Sequence, residues 1–186
     1  MSKPHDYHRF SGWRLVVLLL VFALYTTWFI GPGYFGQLVR LEGYEFLQGR
    51  GFYTGAEAVA AIESLDVAGR RLKYTELGFD LIYMVLQTFV FEALIAFGLR
   101  HLGWLKTHWR WLLLLPMGYL FFDILEDGFL ALLLSTGSEM IGSFAGVFTA
   151  AKMAFFLPCL PISLGFAIAG CVAFFLRKGK AADVSY

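Results

Sequence analysis

Apolar and polar positions alternate along this chain in long blocks rather than at the short period of a strand. Four apolar stretches stand out, at 13–30, 77–99, 111–134 and 143–176. Each is long enough for the roughly 20 residues that a membrane-crossing helix needs. The first ends at Gly31-Pro32-Gly33, which predicts a stop there. In the second, Glu76, Asp80, Tyr83 and Gln87 fall within one narrow arc of a helix, and Glu92 lies off that stripe. The third carries Asp123, Glu126 and Asp127 near its middle, at i, i+3 and i+4 on one face, with Tyr119 and Pro116 a turn or two before them. Each ionised carboxylate at that depth costs roughly 2.5–3.5 kcal/mol on insertion scales, so this face must meet protein or water. The fourth stretch would extend about 50 Å against a hydrocarbon core of about 30 Å. Pro158 and Pro161 are expected to kink it, and Lys152 is its one charge, with Thr149, Cys159 and Ser163 near the same face.

The polar blocks predict the connections. Residues 34–76 form the one sizeable extramembrane segment, with Arg40, Arg50, Arg70, Arg71 and Lys73 nearly balancing Glu42, Glu45, Glu57, Glu63, Asp66 and Glu76. Within it, Thr54-Gly55-Ala56-Glu57 has the form of a capping box. The helix it starts places Val59, Ile62 and Leu65 on one side, which predicts an element lying flat on the bundle or at the interface. Gly69 is expected to interrupt, with 70–76 leading into the second span. A tight basic turn at 100–110 and a link at 135–142 complete the connections.

Composition and charge sharpen this into a membrane protein with an orientation. The chain is 59% hydrophobic with a mean hydropathy of +0.66, above the roughly half-apolar composition of soluble domains. Lys3, Arg9, Arg14, Arg100, Lys106, Arg110, Arg177, Lys178 and Lys180 supply nine of the 15 basic residues, at the N-terminus, the second loop and the C-terminus. That pattern places both termini in the cytoplasm. No basic patch of the nucleic-acid kind emerges, so no nucleic-acid partner is expected. The bulky Tyr25-Thr26-Thr27-Trp28-Phe29 offers no cleavage site, so the first stretch reads as a retained span. Cys159 and Cys171, twelve residues apart on one helix, stand about 18 Å apart and cannot form a disulfide; both read as small packing residues.

The candidate chemistry follows from depth. Asp123, Glu126 and Asp127 lie near the midplane, Asp80 is shallower on the outer side, and Lys152 is about 13 Å down the last span. Lys152 reads as the only intramembrane base and is expected to pair with one or two of these carboxylates. A polar lock fixing helix register is one reading. The excess of three carboxylates on one arc over one lysine favours a binding site for a proton, a cation or water. Ligand or ion binding is thus assigned to Asp80, Asp123, Glu126, Asp127 and Lys152, with Tyr83, Gln87 and Tyr119 supporting. An oxygen-only set suits a hard ion, whereas His5, His8, His101 and His108 all map to the cytoplasmic side, which disfavours a zinc site. No metal or cofactor is assigned. No GxSxG is present, and no inward histidine is available to activate a nucleophile. A carboxylate base with Lys152 as anchor is compatible with the spacing without being selected by it.

One tract has Tyr53-Thr54 with Glu57, Leu65 with Gly69-Arg70 and Tyr74, and Asp80 with Tyr83; a second has Leu115-Pro116 followed by Asp123-Ile-Leu-Glu126-Asp127. The first resembles the first outer loop and second span, and the second the later Leu-Pro and Asp-x-x-Glu-Asn, of a bacterial family of small four-span inner-membrane proteins that has no assigned activity. The resemblance covers about half the chain and implies architecture and site positions, not chemistry. Asp127 stands where the family has Asn, which adds a negative charge to the arc.

The resulting expectation is an all-α, polytopic four-transmembrane-helix bundle with a partly helical outer loop of about 40–45 residues. It is one membrane domain, 1–186, with spans over 13–31, 77–99, 111–134 and 143–176 and an outer loop over 32–76. The leading function is binding or conducting a small polar species: a proton, a cation or a cationic headgroup. An accessory subunit of a larger membrane complex, held by a charge lock, comes second, and a membrane-embedded enzyme third. The expected partners are the lipid bilayer, a small polar ligand or ion, and a membrane-protein partner or second copy.

Overall fold

The computed structural model describes residues 12–41 and 44–183, with side chains as far as 177. The N-terminal Lys3, His5, His8 and Arg9, together with Glu42 and the side chains of Lys178 and Lys180, lie outside the described residues. Six α-helices follow in order: α1 (Trp13–Ile30), α2 (Tyr34–Leu38), α3 (Gly55–Glu63), α4 (Val67–Leu102), α5 (Leu114–Thr136) and α6 (Glu139–Asp183). Short 3-10 turns occupy Leu47–Gly49 and His108–Leu113, and no strand occurs among the described residues.

Trp13–Leu38, Val67–Leu102 and Glu139–Arg177 are long and apolar enough to cross a membrane, so the protein is membrane-embedded. The outward faces agree. Val16, Val17, Leu20, Val21 and Leu24 of α1 and Leu157, Leu164, Ile168 and Val172 of α6 are all exposed, an apolar surface that lipid, not water, accommodates. The 23 residues of α5 span about 34 Å, but three carboxylates interrupt their apolar character.

Local chemistry explains most boundaries. The Thr54 side chain accepts from the Glu57 amide while Glu57 reaches back to the Thr54 amide, the reciprocal box that starts α3. Gly69 does not interrupt the next helix. The break falls at residues 64–66, where Asp66 Oδ1 accepts from the Gly69 N–H at 2.7 Å and so caps α4. The 36-residue α4 therefore begins ten residues earlier than the apolar pattern indicated. At the other end of α4, His108–Leu113 winds as a 3-10 turn, so the next helix starts at Leu114 and not at Trp111. The α5–α6 link shrinks to Gly137 and Ser138, with Gly137 at φ 64° closing the turn, and α6 runs on unbroken through Pro158 and Pro161.

The core is built from α4, α5 and α6, with α3 laid on the N-terminal end of α6 and α1 packed at the side of α4. The α3 face that packs is Ala58, Ala61 and Ile62, with Leu65 buried just beyond the helix. Val59 is only half-buried. Apolar layers stack along the bundle. Leu77, Leu130 and Leu133 join the loop residues Leu47 and Tyr53 at one end, Met84, Phe91, Tyr119 and Cys159 sit in the middle, and Ile95, Leu99 and Leu112 close the other end. Gly98 and Gly170 bring α4 and α6 into backbone contact near that closed end. Cys171, read from the sequence as a packing residue, is exposed instead; Cys159 is buried.

Candidate functional site

Between the layer of Leu77, Leu130 and Leu133 and the middle apolar layer lies a polar layer. The i, i+3, i+4 spacing on α5 turns Asp123, Glu126 and Asp127 inward, and all three are buried. From α4 the stripe Glu76, Asp80 and Gln87 faces them, with Tyr83 half-buried at its edge. From α6 comes Lys152, 5% exposed, whose Nζ lies 3.0 Å from Asp123 Oδ1 and also pairs with Glu126. The expected pairing across α5 and α6 is therefore present.

Lys152 is not the only buried base. Lys73, assigned from the sequence to the outer loop, is 3% exposed and pairs with Glu76 at 2.7 Å. The early start of α4 is the cause: it carries Lys73 one turn ahead of Glu76 on the same inward stripe. That i, i+3 relation was the signal in the sequence. Gln48, from the 3-10 turn, joins the two halves of the layer. Its Oε1 accepts from Lys73 at 2.8 Å and its Nε2 donates to Asp127 Oδ1 at 3.1 Å. No periodicity marks Gln48, which reaches the layer only through the fold of the loop.

The layer divides by how well its groups are satisfied. Glu126 is the most engaged: its Oε1 accepts from Thr149 at 2.5 Å and from the Tyr53 hydroxyl at 3.4 Å, and its Oε2, without a hydrogen bond, forms an ion pair with Lys152. Burial, and then the charge of Glu126, push the Tyr53 phenol up from its ordinary value, so it stays a donor. Tyr119 donates to Gln87 at 2.7 Å. By contrast, Asp123 Oδ2 and Asp127 Oδ2 are buried without a hydrogen-bond partner. Asp80 makes no hydrogen bond or ion pair among the described residues. Carboxylate oxygens of Asp80, Asp123 and Asp127 all lie within 4.8 Å of one another.

Electrostatics decides what such a group can do. Among the described residues, the only buried bases that Glu76, Asp80, Asp123, Glu126 and Asp127 meet are Lys73 and Lys152. Two ionised carboxylates at 4.8 Å repel by roughly 3–4 kcal/mol at an effective dielectric near 20. Three in that space favour uptake of a proton, which neutralises one of them, or of a cation between them. The oxygen-only set fits a hard cation in its chemistry. His101 and His108 are at the far end, beyond the last apolar layer.

Beside this group lies a cavity of about 300 Å³, lined by Glu76, Asp80, Tyr83 and Gln87 of α4, by Tyr119, and by Lys152 and Phe156 of α6. Phe29, Phe35 and Phe46 close it from α1, α2 and the loop. Asp123, Glu126 and Asp127 do not line it, and Glu92 takes no part in either feature. No protein-family model, curated protein or solved structure matches the chain. The functional reading therefore stands on this geometry.

Proposed function

We propose that the chain is a four-span bacterial inner-membrane protein, with both termini cytoplasmic, whose buried carboxylate–lysine layer binds a small cationic species. A proton, a metal cation or a cationic headgroup each meets the requirement. The observation that carries this reading is the trio Asp80, Asp123 and Asp127, within 4.8 Å of one another, in which Asp123 Oδ2 and Asp127 Oδ2 are buried without a protein donor. A purely structural lock has no need of them. The cavity against Asp80 supplies a route, which a closed, dry layer would lack. The fourth span is α5, whose carboxylates are covered by α4, α6 and the loop, so their insertion cost is met inside the bundle.

A second reading has its own support. Lys152 with Glu126, Thr149 and Tyr53 forms a satisfied network across α5, α6 and the loop, as a lock in an accessory subunit would. The two readings separate in melting curves of the purified full chain in detergent, taken across pH and with added Na⁺, K⁺, Mg²⁺ and Ca²⁺. Binding to the folded state alone stabilises by about 2.7 kcal/mol at a hundredfold excess over Kd. Binding predicts a pH- or cation-dependent melting temperature that Asp80→Asn with Asp127→Asn abolishes while the protein still folds. A wild type insensitive to both variables, with a double variant melting at least as high, leaves only the lock.

A further inference from the structure

The cavity names the class of cation, an inference that rests on the cation-binding reading above. Its walls carry six aromatic rings, Phe29, Phe35, Phe46, Tyr83, Tyr119 and Phe156, far more than a bare ion uses. Of its charged lining groups, Glu76 is held by Lys73, and Lys152 is held by Asp123 and Glu126. Asp80 alone brings a buried carboxylate to the cavity with no base of its own. We propose that this cavity binds an alkylammonium ion, its nitrogen on Asp80 and its hydrocarbon body among the aromatic rings.

Each alternative occupant leaves something unmet. A hard metal ion seeks oxygen on all sides and has no use for phenyl walls. An anion would have to take Lys152 from two carboxylates that already bind it. A neutral hydrocarbon would leave Asp80 buried against it without a partner, which is costly. An ammonium group donates to Asp80 as a charge-assisted hydrogen bond and is attracted by ring faces within about 6 Å. The cavity also lies between helices of the membrane-embedded region. Its wall from α1, Phe29 and Ile30, and its wall from α6, Met153 and Phe156, belong to helices that pack on α4 and not substantially on each other. A ligand carried in the lipid can therefore enter between them as well as one from water.

The test is titration calorimetry and thermal shift on the purified full chain in a nonionic detergent. The probes are hexylammonium, hexan-1-ol, hexanoate and ammonium chloride, with hexadecylammonium in mixed micelles as the lipid-borne arm. Hexylammonium or hexadecylammonium should bind and raise the melting temperature, and whichever is the tighter identifies the source as water or lipid. Asp80→Asn should weaken that binding about tenfold or more, the loss of one charge-assisted contact. Phe46→Ala, an exposed ring of the cavity wall, should weaken it about threefold. Hexanol binding as well as hexylammonium, or Asp80→Asn leaving hexylammonium binding intact, overturns the proposal. If neither amine binds but the pH or metal-ion dependence persists, the ammonium assignment falls and the cation site stands. Loss of all these responses removes both.

Discussion

Gln48 donates its side-chain amide to Asp127 across 3.1 Å, although 79 residues separate them in the chain. The same amide takes the ammonium of Lys73 on its oxygen, so one neutral residue spans the two charged halves of the buried layer. Gln48→Leu is expected to lower stability by about 1–3 kcal/mol, the cost of leaving buried polar groups without their partners. Melting in detergent measures it. An unchanged midpoint would mean that water or another group replaces both bonds.

Lys152 on α6 and the α5 carboxylates should behave as one unit. Lys152→Met strands Asp123 and Glu126 without their base and is expected to cost about 3–5 kcal/mol, while adding Glu126→Leu should recover much of the loss. A double-mutant cycle on melting midpoints reads the coupling. Additive effects would show that the ion pair contributes nothing to holding α5 on α6.

Asp127 makes no ion pair among the described residues, because Lys73 pairs with Glu76 and Lys152 with Asp123 and Glu126, so any charge on it has no direct partner. Asp127→Asn keeps an acceptor for Gln48 and removes that charge, so the variant should melt at a higher temperature than wild type near neutral pH and respond less to added cations. A lower midpoint across all pH values would indicate that the Asp127 charge is needed by Lys73.

At the start of α3, the Thr54 amide and hydroxyl hold the Glu57 carboxyl below its ordinary value of 4.5. A depressed folded-state value means the cap stabilises above the ordinary value and is lost as pH falls through the lowered one. The protection of the α3 amides, their exchange relative to the intrinsic rate at each pH, should therefore fall on acidification below about that value, and Glu57→Gln should remove the dependence. Thr54→Ala should cost about 1 kcal/mol of local helix stability at neutral pH. Exchange rates indifferent to both substitutions would show that packing on α6, and not the cap, orders α3.

Topology has a direct check. Reporter fusions after Lys106 and after Lys180 should signal cytoplasm, and one at Glu57 the opposite side. A cytoplasmic signal at Glu57 would invert the depth order of the whole layer.

Much of this protein was legible without coordinates, because the causes are local. The limits of α1 follow from an apolar run ended by Gly31-Pro32-Gly33, and the start of α3 from Thr54 and Glu57. The inward turn of Asp123, Glu126 and Asp127 follows from helical spacing together with the cost of showing carboxylates to lipid. Lys152 as their partner follows from charge and depth. What the sequence could not settle depends on how distant segments meet. Lys73 looks like a loop residue until α4 is seen to begin at Val67, and only then does it fall on the stripe of Glu76 and Asp80. Gln48 and Tyr53 have no periodicity at all. They reach the buried layer because α3 is clamped on α6 at Gly55, Gly142 and Gly146, where the backbones touch and the loop before α3 is drawn over the bundle. The cavity is likewise a property of six segments together, since no single helix carries its rings. Helix spacing fixes which side chains share a face, but only packing decides which faces meet, because that depends on shape complementarity over the whole surface and not on the order of residues in any one stretch.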